Sequence, residues 1–223
     1  YIFMEKNGIH IIDLYKTLEC LDEATHAMKA VVRSGRKVMF VATKKQAKEV
    51  VEQEARRLNM PYVTERWQGG MLTTFATLRK SLKKMAGMDK MQKEESYLNL
   101  AKRERLMISR AKDKLQKVLG GIADLNRLPA ALFVIDIKRE HIAISEAQKL
   151  NIPVFGLVDT NSDPSKIDYP IPGNDDAFKS IKLITTYIGK ALEEGLSERK
   201  KDKEEQAQAE EEAAKRAADE SGQ

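Results

Sequence analysis

A chain of 223 residues is long enough for one domain with an appendage, and its 42% of apolar residues suffice for a packed core. The single cysteine, Cys20, excludes an internal disulfide framework, and three scattered histidines exclude a zinc site built from closely spaced ligands. No apolar run approaches the roughly 20 residues of a membrane helix, and no secretory signal opens the sequence, so we expect a cytoplasmic protein without membrane contact.

Short apolar runs alternate with helical patterns over the first 65 residues. The strand-like runs are "IHIIDL" (9–14), "KVMFVA" (37–42) and "PYVTE" (61–65). Between them the sequence predicts one helix that ends near Ser34 and another over 44–58. This alternation is typical of proteins that layer helices on a mostly parallel sheet.

Residues 73–121 interrupt the alternation with two helical patterns. Apolar side chains recur there at steps of three and four residues, first over 75–85 and again over 101–118. We therefore expect an antiparallel coiled-coil hairpin whose turn lies within "GMDKMQKEES" (87–96). The pair Gly120-Gly121 follows, and we expect one of these glycines to take a left-handed backbone conformation at the end of the second helix.

The alternation resumes after the hairpin. Strands are predicted over "AALFVID" (130–136), "IPVFGLVD" (152–159) and "YPIP" (169–172), with helices near 139–149 and 176–193. Continuous apolar runs such as "LFVI" indicate strands that are buried on both faces, as parallel sheets require.

The predicted fold is therefore α/β, with a mostly parallel sheet flanked by helices in a flavodoxin-like or Rossmann-like arrangement. Residues 1–72 and 122–197 would form this globular domain, with the helical hairpin 73–121 inserted. Residues 198–223 lack large apolar side chains almost completely, so we expect a disordered or single-helix tail.

Positive charge is concentrated in the hairpin. Residues 79–117 contain 13 Lys and Arg against 5 Asp and Glu, whereas residues 118–197 and the tail each carry a net negative charge. A local excess of this kind favours a polyanionic partner, because each cation placed on a phosphate releases a counterion. The alternative is a charged face that only keeps a long hairpin in solution.

The sequence contains no nucleotide-binding glycine motif and no serine or cysteine nucleophile beside a plausible base, so we expect no catalysis and no cofactor. One enzymatic alternative stays open. Asp136, Asp159 and Asp175 follow predicted strands, and carboxylates gathered at that edge could hold magnesium for a phosphoesterase. The competing interpretation is that "DTNSDP" and "GNDD" are turn and helix-cap sequences that need no metal.

Lysines and arginines at the starts of predicted helices favour phosphate binding at the carboxyl edge of the predicted sheet. Thr43 and Gln46 match a capping box, yet Lys44 and Lys45 occupy a first turn that the helix dipole disfavours for cations. Lys138-Arg139 repeat this arrangement after Asp136, where the predicted strand 130–136 ends. Exposed lysines that bind nothing are the plainer alternative.

The stretch "ERWQGGMLTTF" (65–75) joins the domain to the hairpin. Gly69 and Gly70 allow a sharp change of direction, Trp67 can wedge the hairpin base against the sheet, and Arg66 can point outward to a phosphate. Base-stacking platforms carry several aromatic residues, and Phe75 alone is weak support for such a role of Trp67, so we favour the wedge.

Several long motifs together resemble the bacterial small-subunit ribosomal protein S-two family. They are "RWQGGMLTTF", "LGGI", "PAALFVID", "EHIAISEAQKLNIPVFGLVDTNSDP" and "IPGNDDAFKSI", in the family's order, and the match as a whole is spread over residues 5 to about 195. The family's opening segment, with its H-F-G-H-like and W-N-P-like motifs, does not appear before "YIFMEKNGIHIIDL". Because the sequence starts with Tyr1, we expect residues to precede it.

The resemblance implies a non-catalytic protein of the cytoplasmic small ribosomal subunit, monomeric within the particle. It implies binding to small-subunit ribosomal RNA near the junction of head and body, and docking of neighbouring proteins, including the messenger-binding protein S-one. A hairpin that docks protein while RNA binds elsewhere is a further alternative.

From charge and position we predict RNA contacts for Lys44, Lys45, Arg66, Arg79, Lys80, Lys83, Lys84, Arg103, Arg105 and Arg110. The family's motifs fall on Arg66, Trp67, Gly69 and Gly70 at the hairpin base, and on Asp159, Thr160, Asn161, Asp163, Pro164, Asn174, Asp175 and Asp176 in the second half. We expect no metal site.

Overall fold

The computed structural model describes residues 1–94, 97 and 99–220, with side chains up to residue 208. Its strands are β1 (Ile2–Lys6), β2 (Ile9–Ile12), β3 (Val38–Val41), β4 (Tyr62–Val63), β5 (Ala131–Ile135), β6 (Val154–Val158) and β7 (Tyr169–Pro172). Its helices are α1 (Leu14–Arg33), α2 (Lys45–Arg57), α3 (Phe75–Met91), α4 (Lys102–Leu119), α5 (His141–Lys149) and α6 (Phe178–Glu220). Short 3-10 turns occupy Gly120–Ile122 and Pro164–Lys166.

A five-stranded parallel sheet in the order β4-β3-β5-β6-β7 forms the centre of the body. The residues of β3, β5 and β6 are buried throughout, as their continuous apolar runs predicted. Chain order changes direction between β3 and β5, so their carboxyl ends open a crevice at the usual ligand edge of such sheets. The predicted α/β fold class is confirmed.

Two apolar clusters cover the two faces of the sheet, because alternate strand residues point to opposite sides. Phe40, Phe133 and Phe155 face a cluster that includes residues of α1, α2 and α6. Met39 and Leu132 face the other cluster, which includes residues of α5 and of the inserted hairpin. The hairpin base is thus part of the core of the body.

The first two strands form a separate antiparallel pair, which the apolar pattern did not predict. Residues 9–14 were expected to join the alternating pattern, but β2 pairs with β1, and α1 begins at Leu14 behind its cap Asp13. Asn7 and Gly8 both have positive φ, as a tight hairpin turn with the sequence Asn-Gly requires. This dipeptide was the missed signal.

The inserted segment consists of α3 and α4, which contact each other. Lys112 Nζ ties α4 to α3 by bonding Asp89 Oδ1 at 2.6 Å and Gln92 Oε1 at 2.7 Å. The turn was predicted within 87–96, but α3 continues to Met91 because residues 87–91 contain only one helix-weakening glycine. Residues 95 and 96 of that range lie outside the described part of the chain.

The expectation of a left-handed glycine after α4 is wrong. Gly120 has φ −58° and ψ −37°, a right-handed helical conformation, and Gly121 also lacks a positive φ. Gly121 serves a different purpose, since a Cβ atom there would lie 2.3 Å from the carbonyl oxygen of Tyr62. Only glycine lets the end of the hairpin approach β4 this closely.

The last helix is longer than the predicted range 176–193, because its Glu-, Lys- and Ala-rich continuation favours helix. Past residue 193, α6 still packs on α1, and Lys29 Nζ bonds Glu198 Oε1 at 2.7 Å while Arg33 Nε bonds Asp202 Oδ2 at 2.9 Å. Among the described helices, none is both long and apolar enough to cross a membrane.

Candidate nucleic-acid interface

The outer surface of the hairpin is cationic and open to solvent. On α3, Leu78, Leu82 and Met85 are buried, and the positions between them carry exposed lysines and arginines. Within the described residues, no ion pair is formed by the exposed cations Arg79, Lys80, Lys83, Lys84, Arg103 and Arg110. Their charges are therefore available to an external anion.

Four exposed cations of α4 lie along one side of the helix. Arg103, Arg110 and Lys117 follow one another at intervals of seven residues, which places them on one face about 10 Å apart. Lys114 is exposed on the same side, although it was not among the predicted contacts. Lys117 is partly engaged with Glu65 at 3.8 Å, and Arg105 is only half exposed. The exposed cationic surface thus includes Lys114, which was not predicted, whereas the predicted Arg105 contributes less because it is partly buried.

Trp67 lies at the joint between body and hairpin. Its side chain is 7% exposed and belongs to the apolar cluster that also contains Met39 from the sheet and Leu78 from α3. The indole Nε1 donates a hydrogen bond to Glu146 Oε1 at 3.1 Å. This position suits a wedge, and it leaves no ring face free to stack on a nucleotide base.

Glu146 accepts hydrogen bonds from several groups at the joint. It was not among the predicted site residues. Besides the indole, Oε1 accepts the backbone N–H of Gly70 at 2.7 Å, and Oε2 accepts the N–H groups of Leu72 at 2.9 Å and Thr73 at 3.1 Å. The Thr73 hydroxyl donates to Oε2 at 3.2 Å. The sequence did contain a signal for this role, because Glu146 falls on the same helix face as the apolar Ala143 and Ala147. A carboxylate buried on such a face needs hydrogen-bond partners.

These hydrogen bonds determine the charge state of Glu146. Burial of a side chain that is 6% exposed would raise the pKa of the carboxyl group, but the donors from Thr73, Trp67, Leu72 and Gly70 outweigh burial and hold the pKa below its ordinary value. Glu146 is therefore ionised at neutral pH and acts only as an acceptor.

Of the two glycines at the joint, Gly70 is required by the backbone conformation and Gly69 is not. Gly70 has φ +89°, a conformation that side chains of L-residues rarely adopt, and its carbonyl accepts a hydrogen bond from Thr74 Oγ1 at 2.7 Å. Gly69 has open space where a Cβ atom would stand, so its side-chain position is not restricted by packing. Arg66 is exposed and forms no ion pair with any described residue.

Lys44, at the carboxyl end of β3, is directed into the protein. Its Nζ bonds Asp175 Oδ1 at 2.6 Å and Asp176 Oδ1 at 2.7 Å, and it lies 3.4 Å from Asp136 Oδ2. Burial alone would lower the pKa of Lys44, but the bonds to Asp175 and Asp176 outweigh it and raise the pKa. The predicted RNA contact of Lys44 thus has no support in the geometry, whereas the neighbouring Lys45 is exposed.

The capping box predicted at Thr43 does not form. Helix α2 begins at Lys45 behind Lys44, which makes no side-chain cap bond. Instead, the backbone N–H of Thr43 donates to Glu140 Oε1 at 3.0 Å, and the Thr43 hydroxyl donates to the same oxygen. The hydroxyl oxygen also accepts a hydrogen bond from Arg139 Nε at 2.8 Å. Burial raises the pKa of Glu140. These tertiary bonds join β3 to the turn after β5, which local sequence could not reveal.

Three aspartates come together at the same edge of the sheet. Oxygens of Asp159, Asp175 and Asp176 lie within 4.8 Å of one another, whereas Asp136 is not part of this group. Burial raises the pKa of Asp175, whose side chain is 0% exposed, and its Oδ2 has no hydrogen-bond partner among the residues that the structure describes. The ammonium of Lys44 already supplies a cation to Asp175 and Asp176.

The neighbouring polar residues form turns and a helix cap. Asn174 Oδ1 accepts the N–H groups of Asp176 at 2.8 Å and Ala177 at 2.9 Å just before α6, and Asp163 Oδ1 accepts the N–H of Ser165 at 3.0 Å. These are the contacts that the turn-and-cap interpretation predicted. The geometry therefore does not favour the magnesium phosphoesterase hypothesis.

Comparison with known proteins agrees with these features. The family model described as ribosomal protein S2 matches residues 1–195. The small ribosomal subunit protein uS2 of Cytophaga hutchinsonii is 67% identical, over 98% of this chain and 86% of that protein. The uS2 proteins of Flavobacterium johnsoniae and Parabacteroides distasonis are each 60% identical, over 93% and 97% of this chain and 82% and 77% of theirs. The chain belongs to the ribosomal protein S2 family.

Proposed function

We propose that this chain is a non-catalytic constituent of the small ribosomal subunit that binds ribosomal RNA through its helical hairpin. The observation that carries the proposal is the row of exposed hairpin cations that lack ion-pair partners among the described residues. Membership of the S2 family supports the assignment to the small subunit and to translation.

The chemistry of the hairpin suits a phosphate backbone. Lysine and arginine side chains on exposed helical faces can contact successive phosphates, and such contacts position a protein without reading base sequence. Arg66, next to the hairpin base, and Lys45, at the start of α2, are further exposed cations. We expect RNA shape, rather than base identity, to supply the specificity of binding.

Two finer parts of the proposal have family membership as their main support. They are a location near the junction of head and body, and docking of neighbouring proteins, including the messenger-binding protein S-one, by a chain that is monomeric within the particle. An exposed apolar surface on β1, β2 and the start of α1, where Phe3 is 71% exposed, suits contact with protein rather than with RNA.

The first test is a salt titration of binding between the purified protein and small-subunit ribosomal RNA. Changing Lys80, Lys83 and Lys84 to glutamate is expected to weaken binding. It is also expected to reduce the slope of log K against log salt by about 1 for each phosphate that the variant no longer neutralises. Filter binding at several salt concentrations measures both quantities.

A matched control changes three exposed lysines of α6, at positions 200, 201 and 203, to glutamate. This variant has the same change in net charge, so it corrects for general repulsion between protein and RNA. Equally weakened binding in the two variants would contradict a specific role for the hairpin.

A second prediction concerns the end of α6. Removing residues 204–223 is expected to leave RNA affinity unchanged within about twofold, because residues 198–223 carry more acidic than basic side chains and phosphate repels them. A cut at residue 198 would also remove Glu198 and Asp202, which bond α1, so the shorter deletion is the cleaner variant. A large decrease of affinity in the filter-binding assay would refute this prediction.

A further inference from the structure

We infer that Glu146 is the positioning residue that fixes the direction in which the hairpin leaves the body. The inference deepens the proposed function, since hairpin direction matters for binding only if the hairpin contacts RNA. Its geometric test is independent of RNA.

Glu146 belongs to the body and its donors belong to the segment that leads into the hairpin. The residue lies on α5, with Ala143 and Ala147 buried beside it on the same face. All of its donors among the described residues lie within 67–73, directly ahead of the cap of α3. One rigid side chain therefore holds the whole connecting segment.

The bonds are arranged so that the connecting segment has little freedom. Backbone N–H groups of Gly70, Leu72 and Thr73 converge on the two carboxylate oxygens, which requires a sharp bend that Gly70 permits with its φ of +89°. Because α3 begins at Phe75, fixing these amides also fixes the first turn of the helix. The direction of α3 follows from the position of Glu146.

The returning end of the hairpin is held separately. Gly121 packs against the carbonyl oxygen of Tyr62, and Glu65 receives Lys117 of α4 at 3.8 Å and Lys48 of α2 at 3.2 Å. Two fixed ends make the hairpin a rigid arm, and rigid placement of cations lowers the entropic cost of binding a shaped RNA surface.

Glutamine cannot replace the carboxylate at this position. An amide offers one acceptor oxygen, and its NH₂ group would face the N–H groups of either Oε1 or Oε2. At least two of these donors would then have no acceptor and would meet another donor instead. We therefore expect the variant Glu146→Gln to release the joint while the rest of α5 stays packed.

The test measures hairpin direction with spin labels in the full chain. Cys20→Ser removes the native thiol, and cysteines introduced at the exposed positions Lys90 on α3 and Lys182 on α6 carry the labels. The parent protein is expected to give one narrow distance distribution, and Glu146→Gln a broader and shifted one. Emission of Trp67, the only tryptophan, is expected to move to longer wavelength as the indole gains water.

The matched control is Glu140→Gln. Glu140 is also a buried carboxylate and directly precedes α5, but its partner is Thr43, which follows β3, rather than the hairpin segment. Its variant is expected to keep the parent's distance distribution and emission. If both variants broaden the distribution equally, or if Glu146→Gln leaves it narrow, the inference is overturned.

A milder variant covers the case in which Glu146→Gln does not fold. Thr73→Val removes only the hydroxyl bond to Oε2, so a smaller broadening is expected, and an unchanged distribution would overturn the inference. RNA affinity is measured on the same proteins. A broadened hairpin with unchanged RNA affinity would leave the positioning role standing and count against the proposed function instead.

Discussion

Replacing Lys44 with methionine is expected to lower the free energy of unfolding by about 3–5 kcal/mol. The substitution keeps much of the aliphatic stem but removes the ammonium that bonds Asp175, whose side chain is fully buried. Within the described part of the chain, Asp175 Oδ2 already lacks a hydrogen-bond partner, and Asp136 and Asp159 are nearby negative charges. A buried carboxylate left with like charges must either stay unpaired or bind a proton, and both outcomes favour the unfolded chain.

Urea unfolding measures this prediction, and two further variants make it specific. Lys45→Met changes the exposed neighbour and is expected to stay within about 0.5 kcal/mol of the wild type. Adding Asp175→Asn to Lys44→Met removes the stranded charge and is expected to restore part of the stability. If Lys44→Met and Lys45→Met unfold at the same urea concentration, the ion pair contributes nothing to stability and the prediction is wrong.

Replacing Gly121 with alanine is expected to destabilise the protein by about 2–3 kcal/mol. The added methyl group would stand 2.3 Å from the carbonyl oxygen of Tyr62, so backbone must move where α4 returns to β4. Because β4 has only two residues, the edge strand is expected to separate from β3 before other parts of the sheet do. Urea unfolding gives the change in stability, and amide hydrogen exchange shows which strand opens first.

The adjacent glycine provides the control for this prediction. A methyl group on Gly120 would meet Gln116 Nε2 at 2.9 Å, which is the mobile end of a side chain, and the backbone there is helical. Gly120→Ala is therefore expected to be neutral or to stabilise by up to about 1 kcal/mol. Equal unfolding midpoints for the two alanine variants would contradict the close approach to Tyr62.

The parallel sheet could be predicted because its signal is local. Runs such as "LFVI" and "VFGLV" are buried on both faces in the structure, and no other arrangement of such short strands buries them as well. The apolar run at 9–14 predicted a strand, and β2 occupies Ile9–Ile12, but its antiparallel pairing with β1 was not predicted, because both strands are largely exposed and lie outside the buried sheet. The start of α2 was predicted less well, because Thr43 bonds the distant Glu140 instead of capping the helix.

The candidate interface could be predicted only in part from the sequence. Charge counts locate the hairpin cations, and burial of the intervening leucines then makes their exposure necessary. The roles of Lys44 and Glu146 could not be predicted from local sequence, because their partners are 131 and up to 79 residues away. Lys44, predicted to bind an anion of a partner, instead pairs with aspartates inside the protein. Glu146, on an apolar helix face, accepts the hydrogen bonds of the joint.

The most direct test of RNA binding by the hairpin is cross-linking of purified small subunits with ultraviolet light, followed by mass spectrometry of the peptides attached to RNA. RNA cross-links are expected on peptides of α3 and α4 that contain the exposed cations, and none on the end of α6. Hairpin peptides joined only to neighbouring proteins, with RNA attached elsewhere on the chain, would contradict the proposed function and make the hairpin a protein-docking arm.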